Sequence, residues 1–247
     1  MSDIEITDDH AIRTIRMNRP DKKNALTLAM YRLMATAIQE ANRMPDIRCL
    51  LVTGGPAFSA GNDINDFVDA AKSGTLAEPV TSFLDALVRN EKPIVAAVAG
   101  PAVGVGVTML LHCDHVVAAS DAVLSTPFVA LGLLPEAAST LLGPRLMGHA
   151  RAFELLVMGR PLAAQAAHEA GLVNTVVTPK VLEETALDAA REIAALPGDA
   201  VKTARRLMRG SIHELSARID EEIALFRERL ASDEAIAAFA AFLIRRR

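Results

Sequence analysis

Short, uninterrupted apolar runs alternate with segments of helical spacing over the first two thirds of the chain. A short apolar run bounded by turn residues is typical of a strand that is buried on both faces. On this pattern we predict buried strands at residues 49–53 and 94–98, and we also expect strands at residues 11–17, 115–119 and 172–177. Because helical segments separate these strands, the pattern indicates an α/β fold with mainly parallel strands and both sheet faces covered.

Helical spacing begins after Thr27, which can cap a helix that runs through Met44. We expect Leu33, Ala37 and Ile38 on the inner face of that helix. Other helices are predicted over residues 64–71, 104–111, 179–196, 199–209, 214–230 and 232–244.

The chain is almost wholly helical from about Pro179, and Pro197-Gly198 marks a boundary within this part. We therefore expect a core domain of residues 1–197 and a C-terminal helical region of residues 198–247. The apolar positions of that region cover either the chain's own core or a neighbouring subunit; they are Ile219, Ile223, Phe226, Leu230, Ile236, Phe239 and Phe242.

Composition narrows the class of protein: 51% of the 247 residues are apolar and 23% are charged, as in globular proteins. The net charge of −4 disfavours a nucleic-acid partner. Cys49 and Cys113 lack metal-ligand spacing, so we expect neither a metal site nor a disulfide. Residues 93–113 carry no formal charge, but prolines and glycines interrupt them, so we expect no membrane span. The acidic N-terminus, without an apolar signal region, indicates a cytoplasmic protein.

Glu136 is the only charged residue between Asp121 and Arg145. Burying an unpaired carboxylate costs several kcal/mol or makes the group keep its proton. A dry site raises carboxylate basicity, which suits an acid or base in catalysis. The alternative is structural, because Pro135-Glu136 could open a helix whose dipole favours an acidic residue.

Two glycine-containing loops each follow a predicted buried strand, at residues 60–63 and 103–106. Parallel strands would place both loops at the same edge of the sheet. Glycine lets the backbone turn tightly and approach a ligand, and the second loop also opens a helix with free N–H groups. Two such N–H groups aimed at one point would form an oxyanion hole.

The sequence lacks the motifs that are typical of several other kinds of functional site. The second loop, GVGVTM, lacks the third glycine of a dinucleotide-binding fingerprint. No GxSxG motif of the common serine hydrolases occurs. Five of the six histidines have no clustered partners, so we expect them to be structural; they are His112, His115, His149, His168 and His213.

The combination of motifs resembles the crotonase (enoyl-CoA hydratase/isomerase) family. The matching segments occur in order along nearly the whole chain: 18–20 with 23–26, 58–63 (FSAGND), 92–98 (KPIVAAV), 100–114, 171–173 and the C-terminal SDEAIAAFAAFLIRRR. The resemblance implies a crotonase-like spiral of strand-strand-helix repeats with a C-terminal helical trimerisation region. It also implies an acyl-CoA thioester substrate, no cofactor beyond that coenzyme A, and a homotrimer or hexamer.

By this resemblance, the peptide N–H groups of Asn62 and Val105 hold the thioester carbonyl. The coenzyme A channel is then lined by backbone of the two loops and of a third segment: Lys23, Asn24, Ala25, Ala60, Gly61, Asp63 and Gly104. Lys22 and Lys23 could meet phosphates, although exposed lysines in a turn need no such role. For Asp63 we favour a helix N-cap over a catalytic role.

The sequence departs from the hydratase pattern, because Thr108 and Phe128 occupy the positions of the two hydratase glutamates. Neither side chain can activate water as a carboxylate does. Residues 102–139 instead resemble peroxisomal-type delta-3, delta-2-enoyl-CoA isomerases, whose single base falls on Glu136. The leading hypothesis is therefore an enoyl-CoA isomerase. A hydratase, a thioesterase or another acyl-CoA reaction of this scaffold is the alternative, and a non-catalytic acyl-CoA-binding subunit is an alternative of another class.

Overall fold

The computed structural model describes residues 2–63, 66 and 77–245, and the side chains of this part up to residue 241. The strands are β1 Ile4–Asp9, β2 Ile12–Met17, β3 Cys49–Thr53, β4 Ile94–Val98, β5 Pro101–Val103, β6 His115–Ala119, β7 Val123–Ser125, β8 Leu162–Ala163 and β9 Thr175–Val177. The predicted strands are thus present, although the last is shorter than the predicted 172–177.

The helices of the described part are α1 Leu28–Arg43, α2 Glu78–Arg89, α3 Val105–Thr108, α4 Ser139–Met147, α5 His149–Leu156, α6 Ala164–Glu169, α7 Leu182–Ala195, α8 Gly198–Arg209, α9 Ile212–Leu230 and α10 Asp233–Arg245. Short 3₁₀ helices occur at Pro20–Lys22, Met109–His112, Val129–Leu131 and Pro179–Val181. The predicted helix over 104–111 is therefore α3 followed by a 3₁₀ turn. The predicted helix over 64–71 lies outside the described residues.

A six-stranded sheet forms the larger layer, in the order β1-β2-β3-β4-β6-β9. All neighbouring pairs are parallel except the β1–β2 hairpin. Strands β3 and β4 are buried at every position, as their continuous apolar runs predict, and Leu50 pairs with Ile94 in their register.

A smaller sheet contains β5, β7 and β8, and the bridge from Ser59 to Ala102 extends it. The chain passes from β4 in the larger sheet to β5 in the smaller one, and then from β6 to β7 in the same way. Successive repeats therefore place one strand in each sheet. This is the spiral arrangement, and it brings the loops after β3 and β4 side by side.

Helix α1 begins as predicted, because the Thr27 hydroxyl accepts the N–H of Met30 at 3.3 Å. Its inner face contains Ala37 and Ile38, but the prediction for Leu33 was wrong, since Leu33 is 40% exposed. The buried side chains lie on one face of the helix with a spacing of three to four residues; they are Met30, Tyr31, Met34, Ala35, Ala37, Ile38 and Ala41. Leu33 lies outside this face.

The opposite face of the larger sheet packs against α7, whose alanines at positions 186, 190 and 194 allow a close approach. In the C-terminal region, Phe226, Leu230 and Phe239 pack with Phe128 and Leu133. These C-terminal side chains therefore cover the chain's own core, whereas Ile236 is 55% exposed. The boundary near residue 197, the homotrimer or hexamer and the cytoplasmic location stay predictions.

No helix among the described residues has the length and apolar character that a membrane crossing requires. The uncharged run over residues 93–113 instead forms β4, β5, α3 and the 3₁₀ turn that follows. Within the same described part, no three potential metal-ligating side chains lie together.

Candidate active site

Three chain segments lie side by side at one edge of the spiral. The N–H of Ala60 donates to the carbonyl of Lys23 at 2.8 Å, and the N–H of Leu26 donates to the carbonyl of Gly61 at 2.7 Å. Gly61 has a φ of +86°, and a Cβ there would lie 3.0 Å from the carbonyl oxygen of Val103. Because only glycine fits this approach, the loop over 60–63 packs directly against the loop over 103–106.

Asn24 fastens the turn that contains Lys23 and Ala25. Both Lys23 and Asn24 adopt left-handed backbone angles, with φ of 48° and 55°. The Asn24 amide donates to the carbonyls of Gly54 and Ala57 at 2.7 and 2.6 Å, and its oxygen accepts the N–H of Arg19 at 2.7 Å. The Asn24 side chain is thus structural, while the Lys23 side chain is exposed.

Asp63 forms an ion pair with Arg19, with 2.7 Å between Oδ2 and Nη1. The same guanidinium donates to the carbonyl of Ala25 at 2.9 Å. Arg19 therefore joins the end of the loop over 60–63 to the turn that contains Ala25. The helix that Asp63 was expected to cap begins outside the described residues, so that role stays a prediction.

The second loop turns at Gly104, where φ is +55°, and its N–H donates to the carbonyl of Ser125 at 2.9 Å. Val105 then opens α3. The first N–H groups of a helix have no partner within the helix. Among the described residues, no acceptor meets the N–H of Val105 or that of Asn62.

The side chain of Asn62 is held by Tyr31, whose hydroxyl donates to Oδ1 of Asn62. Tyr31 is fully buried on α1, and its ring meets that of Phe83 edge-on at 5.4 Å. Burial raises the pKa of the Tyr31 hydroxyl well above its usual value, and the charges of Glu136 and Asp66 add to the effect. Tyr31 therefore keeps its proton as a donor to Asn62.

Glu136 lies inside the protein, as expected for a base in a dry site, and only 6% of it is exposed. Its Oε1 accepts the hydroxyl of Thr108 at 2.5 Å, and its Oε2 has no hydrogen-bond partner among the described residues. Burial raises the pKa of Glu136 to about 8, an effect that the Thr108 hydrogen bond reduces and the charge of Glu222 increases. Near neutral pH the group can therefore hold or release a proton.

Thr108 connects this carboxylate to the second loop. Its N–H donates to the carbonyl of Gly104 at 3.0 Å, so Thr108 and Val105 belong to the same helical turn. Glu136 is thus hydrogen-bonded to the short helix that carries one of the free N–H groups. The structure brings Asn62, Val105 and Glu136 into one neighbourhood, through Tyr31 on one side and Thr108 on the other.

A strained turn follows Glu136, because Ala137 and Ala138 have φ of 62° and 54°. Each left-handed alanine costs about 1–2 kcal/mol. Two buried side chains offset this cost: the ring of His112 binds the carbonyl of Ala137 at 2.7 Å, and Glu222 accepts the N–H of Ala138 at 2.7 Å.

His112 is structural, as predicted. A carbonyl can only accept, so Nε2 of His112 carries the proton, and Nδ1 accepts from Arg209 at 3.2 Å. Burial lowers the pKa of His112 to about 4. The ring is therefore neutral at physiological pH and supports the turn from the side opposite to Glu222.

Helix α4 begins at Ser139, three residues after Glu136. The carboxylate of Glu136 binds Thr108, and the free N–H groups at the start of α4 are bound by Glu222. The structural alternative, in which Glu136 serves the start of a helix, does not describe this arrangement.

Sequence reasoning missed the partners that surround Glu136. Thr108 was singled out only as a departure from the hydratase pattern, although it is the hydrogen-bond donor to the carboxylate. Tyr31 and Glu222 had no local signal, because both contact the site from helices that are distant in sequence. Phe128 was correctly placed beside the site, since its ring lies 3.7 Å from the position of a Cβ on Gly104.

The fold and this site combine two backbone N–H groups without an acceptor among the described residues, on adjacent loops, with a buried carboxylate. The family model of enoyl-CoA hydratase/isomerase matches residues 7–247, so the chain belongs to that family, the crotonases. The family resemblance and the predicted crotonase-like α/β fold with C-terminal helices are therefore confirmed, while trimerisation stays a prediction.

Among curated relatives, Enoyl-CoA delta isomerase 2 of Rattus norvegicus is 34% identical over 98% of this chain, which spans 64% of that relative's length. The chain spans 63% of the Homo sapiens protein with the same name. The 2,3-dehydroadipyl-CoA hydratase of Escherichia coli (strain K12) is 30% identical over 100% of this chain and 97% of its own. The solved structure of OdaA from Pseudomonas aeruginosa is 44% identical, with a TM-score of 0.93 over 98% of this chain and 99% of that one.

Proposed function

We propose that the protein is an enoyl-CoA isomerase that shifts the double bond of a 3-enoyl-CoA to the 2-position. The observation that carries this proposal is the buried carboxylate of Glu136, whose Oε2 has no hydrogen-bond partner among the described residues. At the two positions where hydratases hold glutamates, the chain has Thr108 and Phe128, and neither can deprotonate water.

The reaction follows from the site. The N–H groups of Asn62 and Val105 bind the thioester oxygen, which stabilises negative charge there and makes the C2 hydrogen acidic. Glu136 removes that proton to leave a dienolate and then returns the same proton to C4. The double bond moves to the 2-position, no electrons are lost or gained, and nothing beyond the acyl-CoA itself is required.

Coenzyme A is proposed to lie against the backbone of three adjacent segments, as family resemblance implies. These are the turn at Lys23, Asn24 and Ala25, the loop containing Ala60, Gly61 and Asp63, and Gly104 at the second loop. Hydrogen bonds between the first two and the close packing of Gly61 on Val103 give the ligand a continuous, pre-formed wall.

The test is an assay of the purified protein with 3-enoyl-CoA and, separately, with 2-enoyl-CoA. We expect rapid formation of the conjugated thioester from the first substrate and little hydration of the second. In deuterium oxide, part of the C2 hydrogen should reappear at C4, because one carboxylate in a dry pocket carries it. Efficient hydration would indicate the hydratase alternative, and binding without turnover would indicate a non-catalytic acyl-CoA-binding subunit.

Removal of the Thr108 hydroxyl is expected to change the pH dependence of this reaction. The hydroxyl stabilises the ionised Glu136, so Thr108→Val should raise the pKa of that carboxyl. Since the base must be ionised, the acidic limb of kcat/KM should move to higher pH. Thr108→Ser keeps the hydroxyl and is the matched control. Identical pH profiles for the valine and serine variants would contradict the assigned contact.

A further inference from the structure

Glu222 is a buried carboxylate that the proposed reaction does not use. It lies on α9 and is 4% exposed. Its Oε2 accepts the N–H of Ala138 at 2.7 Å, and its Oε1 accepts the N–H and the hydroxyl of Thr140 at 3.1 and 2.5 Å. Burial raises the pKa of Glu222, and the three donors that meet its two oxygens, together with the charge of Arg218, reduce this effect.

These donors belong to the turn that carries Glu136 into α4. Ala138 has left-handed backbone angles, and without its hydrogen bond to Glu222 the turn can relax toward ordinary angles. Such a change two residues from Glu136 would move the carboxylate away from Thr108. A displacement of about 1 Å is enough to lower a rate by roughly two orders of magnitude.

We propose that Glu222 is a positioning residue for the Glu136 base, which holds the turn over residues 136–140 through Ala138 and Thr140. This inference rests on the proposed function, because it assumes that Glu136 is the base. It assigns a role to the one carboxylate that reaches the site from the C-terminal helices.

The same contact gives Glu222 an electrostatic effect on the base. The groups that face Glu136 are Thr108 of α3, Tyr31 of α1 and Glu222 of α9, and the neutral ring of His112 lies behind the turn. The charge of Glu222 adds to burial in raising the pKa of Glu136. Glu222 itself faces Thr140 and Arg218, and Arg218 reaches the Thr140 hydroxyl at 3.3 Å.

Glu222→Gln separates this role from simple packing, because it preserves shape while it removes the charge. We expect kcat to fall about tenfold with KM nearly unchanged, since the amide nitrogen opposes one of the backbone donors. The acidic limb of kcat/KM should move to lower pH, because the base loses a neighbouring negative charge. Glu228→Gln, an exposed position on the same helix, is the matched control and should change neither quantity.

If Glu222→Gln folds poorly, two further variants test whether Glu222 positions Glu136. Glu222→Asp keeps the charge and should retain most of the wild-type acidic limb. Thr140→Val removes the hydroxyl that donates to Glu222 and accepts from Arg218 but keeps the Glu222 carboxylate, so it should lower kcat by several-fold and leave the acidic limb in place. A loss of thermal stability in all three variants, without these separate kinetic effects, would show a purely structural role and overturn the proposal.

A titration of the Glu136 carboxyl by carbon-13 NMR tests the contact without any substrate. We expect its pKa to be lower in Glu222→Gln than in wild type and in Glu228→Gln. If the wild-type protein fails to isomerise 3-enoyl-CoA but this shift is present, the proposed function fails and the link between the carboxyls stands. If isomerisation is present, and folded Glu222→Gln shows wild-type kcat and an unshifted Glu136, the positioning role is excluded.

Discussion

Glu136→Gln is expected to abolish isomerisation while it makes the folded protein more stable at pH 8. Glutamine matches the shape of the side chain and can still accept the Thr108 hydroxyl, but it cannot take a proton from carbon. We expect turnover of 3-enoyl-CoA to fall by about 10³-fold or more. Binding of the coenzyme A thioester should persist, because it depends on backbone groups of the two loops.

The stability change follows from the pKa of the same carboxyl. Burial raises the pKa of Glu136 to about 8 from its ordinary value of 4.5, so the folded state binds more protons between these limits. Stability is therefore lost as the pH rises from the lower value to the higher one. At pH 7 this lowers the free energy of unfolding of the wild type by an amount on the order of 3 kcal/mol. Glu136→Gln does not have this loss, although its amide N–H lacks a partner and reduces the gain.

Urea unfolding at pH 5 and pH 8 measures this effect. The wild type and Glu136→Gln should have similar free energies of unfolding at pH 5, and the variant should be the more stable at pH 8. Glu228→Gln removes one negative charge at the surface. Its free energy of unfolding, relative to the wild type, should be the same at both pH values. Equal stability of Glu136→Gln and wild type at both pH values would show that the carboxyl does not titrate abnormally.

The destabilising carboxyl of Glu136, the proposed base, lies next to a strained part of the backbone. The turn after Glu136 contains two left-handed alanines and is held by His112 and Glu222, both of which are buried and hydrogen-bonded. Strained backbone and a carboxyl with a raised pKa within three residues are features that proteins retain where chemistry needs them. Tertiary contacts from His112 and Glu222 offset the backbone strain.

The strands with the clearest signal in the sequence are those with continuous apolar runs. Strands β3 and β4 are buried at every position, and that pattern is visible in the sequence. Strand β1 was missed because only Ile4 among its six residues is buried, so it has neither an apolar run nor a full alternation. Strands β5, β7 and β8 have two or three residues each, which is too short for any periodicity.

Some features of the site could be predicted from neighbouring residues in the sequence, whereas others depend on contacts between distant residues. Glycine loops after buried strands and a carboxylate within an apolar segment are local features, and the family resemblance then implied that Asn62, Val105 and Glu136 share one site. The contact of Glu222 with Ala138 joins residues 84 positions apart, and no local pattern reports it. No helix was predicted at the position of α2, whose Phe83 contacts Tyr31.

Val105→Pro is expected to remove one of the two proposed donors and to leave the fold intact. Val105 is the first residue of α3, where the backbone N–H has no partner within the helix and proline is well tolerated. Deleting one donor of this kind lowers turnover by about 10²–10³-fold. The proline ring also occupies the space of the hydrogen, so we expect a larger loss, of several orders of magnitude, in kcat/KM for 3-enoyl-CoA.

Val105→Ala is the matched control, because it shortens the side chain but keeps the N–H, and it should retain most of the wild-type turnover. The thermal unfolding of both variants shows whether α3 is intact. The Glu136 carboxyl offers a second check, since Thr108 in the same helical turn should still bind it and keep its pKa raised. Near-wild-type turnover in a folded Val105→Pro protein would mean that the thioester oxygen is held elsewhere, and the oxyanion assignment for Val105 would have to be abandoned.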